Sequence, residues 1–436
     1  MVSNKSLFYL IFILVTFVFS IIGNTQTDVV IVGPDFEQQD YFIEELEAIS
    51  IKTGYKITYI PLNDVHAYLN NNLNEPDMAI LTDIQSLKIL GESETLLPVN
   101  QFYSQLEIEN YSQHLIDLVS SEDNSKLYGH WIRLFNNSLI WFNVDRYNQN
   151  GAPEFKTFDE IIEFTKENSK EGNELWCLTI DSAENQPLLD YEYGESSGWI
   201  ISNWLENIVL SNYGPEIYDL WSQNELKFSD QEIILSLLDV GKIIHNENQI
   251  FKGKEYFIRS QVSNSPKNLA SDSSTCVFSL SGHHSINDFP SDKNFGEDYD
   301  FFNFPSDEYS EMVIGFGDTL SLLNYDKPTV EVYKSLISSD FGEVWASKQD
   351  TLFISSRSDF NLEAYNNPLA SKQFIQIRDS LKSNLFRYDA SMLMLNGTGK
   401  KILWTSLRKF ATLSNDYLPE ITEEIDMKIK REIFGK

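Results

Sequence analysis

Along the first hundred residues the apolar positions keep two alternating periods. Asp28–Gly33 (DVVIVG), Tyr55–Ile60 and Pro76–Leu81 (PDMAIL) are short aliphatic runs that predict buried strands. Between them Glu37–Gly54 carries Phe42, Ile43, Leu46 and Ile49 at helical spacing and stops at Gly54, and Asp64–Asn72 predicts a second helix. Strand–helix alternation of this kind specifies a mostly parallel sheet with helices on both faces. Such sheets bind ligands beyond the carboxyl ends of their strands, which singles out Asp83 and Gln85 after the third run. A helix cap is the plainer reading of that position.

From Leu127 the pattern changes. Leu127–Asn143 (LYGHWIRLFNNSLIWFN) is aromatic, β-rich and too long for one strand, so it predicts a crossing between two lobes. Thr157–Asn168 predicts a helix and Leu175–Ile180 a strand. In Gly198–Trp221, Ile200/Ile201, Trp204/Leu205 and Ile208/Val209 form a stripe broken by Ser202, Asn203, Glu206 and Asn207, an amphipathic helix. Ser196 and Ser197 stand where its N-cap would be, Gly214 closes it, and Pro215 suits the first turn of the next. Trp199 lies at the helix mouth, where an indole is either core or a stacking platform for a ligand. Further on, Cys276–Leu280, Asp300–Pro305 and Thr351–Ser355 predict strands, and Met312–Asn324 two strand halves around Gly315, Gly317 and Asp318. Asp230–Ile244, Val330–Ser347, Pro368–Asn384, Lys400–Thr412 and Pro419–Phe434 predict helices. No repeat or low-complexity linker marks a single domain boundary, as expected of a chain that shuttles between two lobes.

The chain has 436 residues, enough for two or three lobes. Its start has the form of an export signal, residues 1–26: Lys5, then the apolar stretch Leu7–Ile22, then polar Gly23–Thr27. An uncleaved anchor is the alternative, and no Cys follows the apolar run to suggest a lipoprotein. The formal net charge of −32 repels nucleic acid and anionic lipid, and basic residues form no patch. The 13% aromatic content, with 8 Trp and 21 Tyr, hints at a stacking site as well as a core. The only cysteines, Cys177 and Cys276, are in an exported protein either one disulfide or two buried thiols. No His lies close in sequence to either one, which leaves a metal site or thiol nucleophile little support.

Several separated runs carry a resemblance: SLIWFNVDRY at 138–147 with Phe158–Ile161, Trp176 and Cys177, Gly198–Trp221, SPKN at 265–268 followed by Cys276, GEDYDFFNFP at 296–305, FIS at 353–355, FRYDASMLM at 386–394, and Trp404. In their order and spacing, over about residues 28–430, the chain resembles the family-1 extracellular solute-binding proteins of ABC transporters. Within them it looks closest to the α-glucoside-binding and glucosylglycerol-binding group. The resemblance implies an α/β, two-lobed periplasmic binding protein of the maltose-binding type, each lobe a mostly parallel sheet flanked by helices, closing on ligand by a hinge. It implies lobes at 27–135 with 302–350, and at 136–301 with 351–436, and crossings near 135–137, 301–304 and 352. It also implies a non-catalytic monomer, without cofactor or metal, that hands a carbohydrate to a membrane permease. Both cysteines fall where that group has cysteines, which favours the disulfide.

Sugar hydroxyls want planar polar partners, and sugar C–H faces want aromatic rings. The resemblance therefore points to Asp318, Trp199 and Glu195, to Asp83 and Gln85, and to Arg133, Asn136 and Asn137 near the first crossing. It points also to His283 and His284, where relatives often carry aromatic contacts, and to Trp404. The structural alternatives are hinge hydrogen bonds for Arg133 and the asparagines, a solvated loop for Glu195, and plain packing for the tryptophans. The rival function is an exported glycoside hydrolase with a carboxylate pair in an aromatic cleft.

Overall fold

The computed structural model describes residues 28–72, 75–181 and 198–435. Among the described residues nine strands lie in chain order: β1 (Asp28–Pro34), β2 (Lys56–Leu62), β3 (Met78–Leu81), β4 (His130–Asn136), β5 (Leu139–Asn143), β6 (Phe278–Leu280), β7 (Tyr299–Asn303), β8 (Val313–Leu322) and β9 (Phe386–Tyr388). The first sheet runs β2-β1-β3-β8-β4, with β9 added beside β8. β1 pairs in parallel with β2 and β3, and β9 with β8, while β8 is antiparallel to β3 and β4. The helices that matter below are α1 (Gln39–Thr53), α2 (Ile84–Glu92), α3 (Trp199–Ser222), α4 (Pro368–Lys382), α5 (Ala390–Leu393), α6 (Trp404–Thr412) and α7 (Leu418–Phe434).

Two large apolar cores make the two lobes. One gathers β1, β3, the inward face of α1 through Phe42, Leu46 and Ile49, and Trp345. The other gathers the stripe of α3 with Trp176, Trp221, Phe257, Phe278 and the apolar side of α7. α3 forms where its stripe predicts a helix, but there it is buried all round rather than amphipathic, since Ser202, Asn203, Glu206 and Asn207 are buried with the stripe; it breaks at Gly214, where Pro215 starts the second segment. Its first turn follows Gly198; Ser196 and Ser197, the expected caps, lie outside the described residues. Cys177 and Cys276 are bonded, with Cα atoms 5.4 Å apart. No helix among the described residues is long and apolar enough to cross a membrane, and the Leu7–Ile22 stretch lies outside them.

Several expectations change. Met312–Asn324, expected as two strand halves, is the single strand β8, and the second crossing lies at Met312–Val313 rather than near 301–304, since Phe304 and Met312 still join the second core. The second lobe's sheet, β6-β5-β7, is antiparallel throughout rather than mostly parallel. The reason lies in the path: β5 carries the chain in from the first lobe, and β7 carries it back, so these neighbours oppose. Residues 353–388, expected in the second lobe, pack with the first: Phe353, Ile354, Phe360, Phe374 and Phe386 join its core, and β9 pairs with β8. The third crossing therefore lies between Tyr388 and Ala390, not near Leu352. Leu175–Ile180 and Thr351–Ser355 make isolated bridges only, Trp176 with Ile250 and Phe278, and Ser355 with Arg133. Val330–Ser347 divides into Lys327–Leu336 and Glu343–Ala346. The long run Leu127–Asn143 does hold a crossing, between β4 and β5.

Candidate functional site

β4 and β8 put a patch of four side chains on one face of the first sheet. Arg133 stands directly across from Asp318, and Phe135 from Phe316, and the two-residue period of a strand sends all four the same way. Asp318 is 1% exposed and accepts a hydrogen bond from Nε–H of Arg133. The guanidinium carbon lies 4.1 Å from the ring centre of Phe36, 4.8 Å from Phe135 and 5.2 Å from Trp345, a cation–π cradle. Phe135 and Phe316 stack with centres 4.6 Å apart. Burial pushes the Asp318 carboxyl up and Arg133 opposes it. Because a guanidinium stays protonated, we treat the pair as ionised at neutral pH. Among the described residues the terminal nitrogens of Arg133 make no hydrogen bond, and they are not sealed from solvent.

The second lobe meets this patch through the loop after β6 and the mouth of α3. The His283 ring lies 4.9 Å from Phe135, with Nδ1 2.9 Å from Oε1 of Gln373 on α4. His284 sets its ring edge-on to Trp199, centres 4.6 Å apart, with Nε2 3.0 Å from Oγ of Ser281. Burial lowers His283 to about 4 and His284 to about 3, so both rings are neutral near pH 7. Two glycines permit the close packing here. A Cβ on Gly282 would lie 2.2 Å from Oδ1 of Asn137, and one on Gly198 would lie 1.7 Å from the carbonyl oxygen of Trp404. The start of α6 is thus pressed against the mouth of α3. Trp404 is half-buried, and its indole Nε1 is sealed without a partner among the described residues. Trp199 is half-buried against the second core, whereas Trp204 is buried with its indole N–H on the Leu280 carbonyl.

Other expected site residues have structural duties. Asn136 donates from Nδ2 to Gln376 Oε1 at 2.9 Å, and its Oδ1 accepts the Ser138 N–H at 2.7 Å, so both ends serve the first crossing. Asp83 caps α2, accepting from the N–H groups of Gln85 and Ser86 and from the Ser86 hydroxyl. Gln85 reaches from α2 to the other lobe, donating to the carbonyls of Met394 at 2.6 Å and Met392 at 3.3 Å. Glu195 lies outside the described residues.

Phe36 and Phe316 also belong to this region, though the sequence does not single them out. Phe316 was within reach, because it alternates with Asp318 on an inferred strand. Phe36 follows β1 in a turn, and only the fold brings it over Arg133.

A buried carboxyl pair sits at the third crossing. Glu206 on α3 accepts from the Ser202 hydroxyl at 2.8 Å, the Tyr218 hydroxyl at 3.1 Å and the Ala390 N–H at 3.0 Å. Burial raises both Glu206 and nearby Asp389. Glu206 is fully buried, so this pair does not offer two open carboxyls as a glycosidase site must. Among the described residues no group of three His, Cys, Asp or Glu side chains could hold a metal ion.

No family profile matches the chain. It is 27% identical over 345 residues to the alpha-glucosides-binding periplasmic protein AglE of Rhizobium meliloti, covering 77% of this chain and 72% of that one. It is 25% identical over 377 residues to the osmoprotective compounds-binding protein GgtB of Synechocystis, covering 85% of each. Its fold matches the bacterial solute receptor AcbH, whose reported preference is β-D-galactopyranose, with a TM-score of 0.71 at 11% identity over 93% of this chain and 99% of that one. It also matches the sugar-binding protein MalE of Xanthomonas citri, with a TM-score of 0.65 at 14% identity over 94% of this chain and 100% of that one. In sequence the chain is similar to periplasmic solute-binding proteins, and its fold is that of the two-lobed sugar receptors of ABC transporters.

Proposed function

We propose that the chain is the exported substrate-binding component of an ABC carbohydrate importer, capturing an α-glucoside or a glucosylated polyol between its lobes. One observation carries this reading: the Arg133–Asp318 pair, ringed by Phe36, Phe135 and Trp345, with Phe316 stacked on Phe135, lies on the lobe face met by His283, with His284 and Trp199 beside it. Charged groups for hydroxyls and rings for C–H faces are what a sugar-binding cleft demands. The two curated relatives, named for α-glucosides and osmoprotective compounds, support this ligand class. Arg133, Asp318, Trp199, His284 and Trp404 are its ligand contacts in this reading, while Asn136, Asp83 and Gln85 serve hinge, cap and lobe contact. Closure would bend the three crossings, and the closed form would engage the permease from the periplasm as a monomer, after loss of residues 1–26. A thermal-shift screen over sucrose, trehalose, maltose and glucosylglycerol tests it, because a ligand bound to the native state raises the melting point by mass action. A shift with one of these supports the reading. No shift with any of them, or release of glucose at enzymatic rates, overturns it.

A further inference from the structure

The face of α3 that carries Trp199 continues, one turn later, to Asn203 and then to Asn207. Positions i, i+4 and i+8 of a helix stack on one side. Trp199 touches His284, and Asn207 donates from Nδ2 to the Asn137 carbonyl at 3.1 Å, so Asn203 lies between the cleft mouth and the first crossing. Asn203 is only 5% exposed, yet among the described residues its carboxamide makes no hydrogen bond, and it is not sealed. Asn137 is also 5% exposed; among the described residues its Nδ2 makes no hydrogen bond, while its Oδ1 is sealed against Gly282. A carboxamide buried this far without a partner is unusual, because desolvated polar groups are nearly always paired. Asn207 also donates to the Asn203 carbonyl at 2.7 Å, so one side chain fixes the backbone of both open asparagines.

We propose that Asn203 and Asn137 form a carboxamide pair that grips neutral hydroxyls at the hinge end of the ligand, with Asn207 as their positioning residue. This rests on the receptor reading and adds the residues that read the ligand's inner end. Asn203 offers one acceptor and two donors, the pattern that a hydroxyl pair satisfies, and Asn137 adds a donor from the side of the crossing. A site built to bond a hydroxyl discriminates strongly, since a ligand lacking it leaves the amides unpaired.

The test is a fluorescence titration of the parent protein, Asn203→Leu and Asn203→Ala with maltose and glucosylglycerol, together with melting of each protein without ligand. Both variants bind the preferred probe roughly ten- to a hundredfold more weakly in the expected result. Without ligand, Asn203→Leu melts at or above the parent temperature, because a similar-sized apolar group replaces an unpaired amide. Unchanged affinity in both variants overturns the inference and leaves the receptor reading standing. A ligand-free melting point several degrees lower for Asn203→Leu overturns it too, by making the residue structural. If the parent binds neither probe, nor any other glucoside of the screen, the receptor reading falls and takes this inference with it.

Discussion

Arg133 and Asp318 face each other at the same register step of β4 and β8, and the carboxylate accepts the Nε–H of a guanidinium lodged among three aromatic rings. Each group is what makes burial of the other tolerable. Removing one should therefore cost more than removing both. Asp318→Ala strands a buried cation, a loss of about 3–5 kcal/mol in stability. The double replacement Arg133→Met with Asp318→Leu should recover most of that loss. Urea unfolding of the single and double variants measures the coupling, and strictly additive losses would show that the pair is not one unit.

The two neighbouring tryptophans of α3 should separate function from stability. Trp199→Ala should weaken glucoside binding by about 1–3 kcal/mol and leave the melting point near that of the parent. Trp204 lies in the core, so Trp204→Ala should lower stability by about 3–5 kcal/mol. Paired titration and thermal melting of both variants check this. Equal loss of stability in the two would return Trp199 to the core.

How far the sequence disclosed all this depends on the range of the interaction. The strands and helices of the first lobe were legible because a two-residue or 3.6-residue period is local, as in Asp28–Gly33 and Glu37–Gly54. The wrong lobe for residues 353–388 was a long-range error. Phe353 and Phe374 look the same in either core, and only the pairing of β9 with β8 assigns them. Within the site, Arg133 and Asp318 were each named, but that they face one another is a matter of strand register, which the sequence does not state. Asn203 was read as one of the polar breaks in an apolar stripe. Its open carboxamide matters only because the fold sets Trp199, one turn before it, against His284 and Asn207, one turn after it, against Asn137.

The Cys177–Cys276 bond closes a loop with a sequence separation of 99. Restricting so long a loop in the unfolded chain is worth up to about 4 kcal/mol. Cys177→Ser with Cys276→Ser, or the parent under dithiothreitol, should lose ~2–4 kcal/mol by urea denaturation. No change under reductant, with the thiols shown to be free, would contradict this.

Buried neutral histidines give the protein an acid limb. His130 and His284 are lowered by burial to about 3 and His283 to about 4, against 6.5 in the unfolded chain. As pH falls below 6.5 the unfolded state takes up protons that the native rings refuse, so stability is lost down to about pH 4 for His283 and about pH 3 for His130 and His284. For His283 the span corresponds to about 3 kcal/mol. Unfolding free energies at pH 7, 5.5 and 4.5 should fall in that order, and His283→Asn should make the slope shallower by close to one proton. An unaltered slope in that variant would remove His283 from the acid limb.

Glu206 acts in the opposite direction, and its place at the third crossing makes that informative. Burial raises its carboxyl, and the negative charge of Asp389 adds to the rise, so the native state holds a proton that the unfolded chain releases. Stability from this group is complete below the unfolded value of 4.5 and is lost as pH rises toward the raised native value. Glutamine keeps the shape and the neutral charge, its carbonyl can accept from Ala390 N–H and Tyr218, and its amide can donate to Ser202. Glu206→Gln should therefore match the parent at pH 5 and exceed it at pH 8, whereas Glu206→Leu, which strands the Ser202 hydroxyl and leaves the Ala390 N–H only the Tyr218 hydroxyl, should be weaker at both. Urea unfolding at the two pH values decides. If Glu206→Gln loses stability most at pH 8, the carboxylate is ionised in the native hinge and the assignment of a neutral Glu206 is wrong.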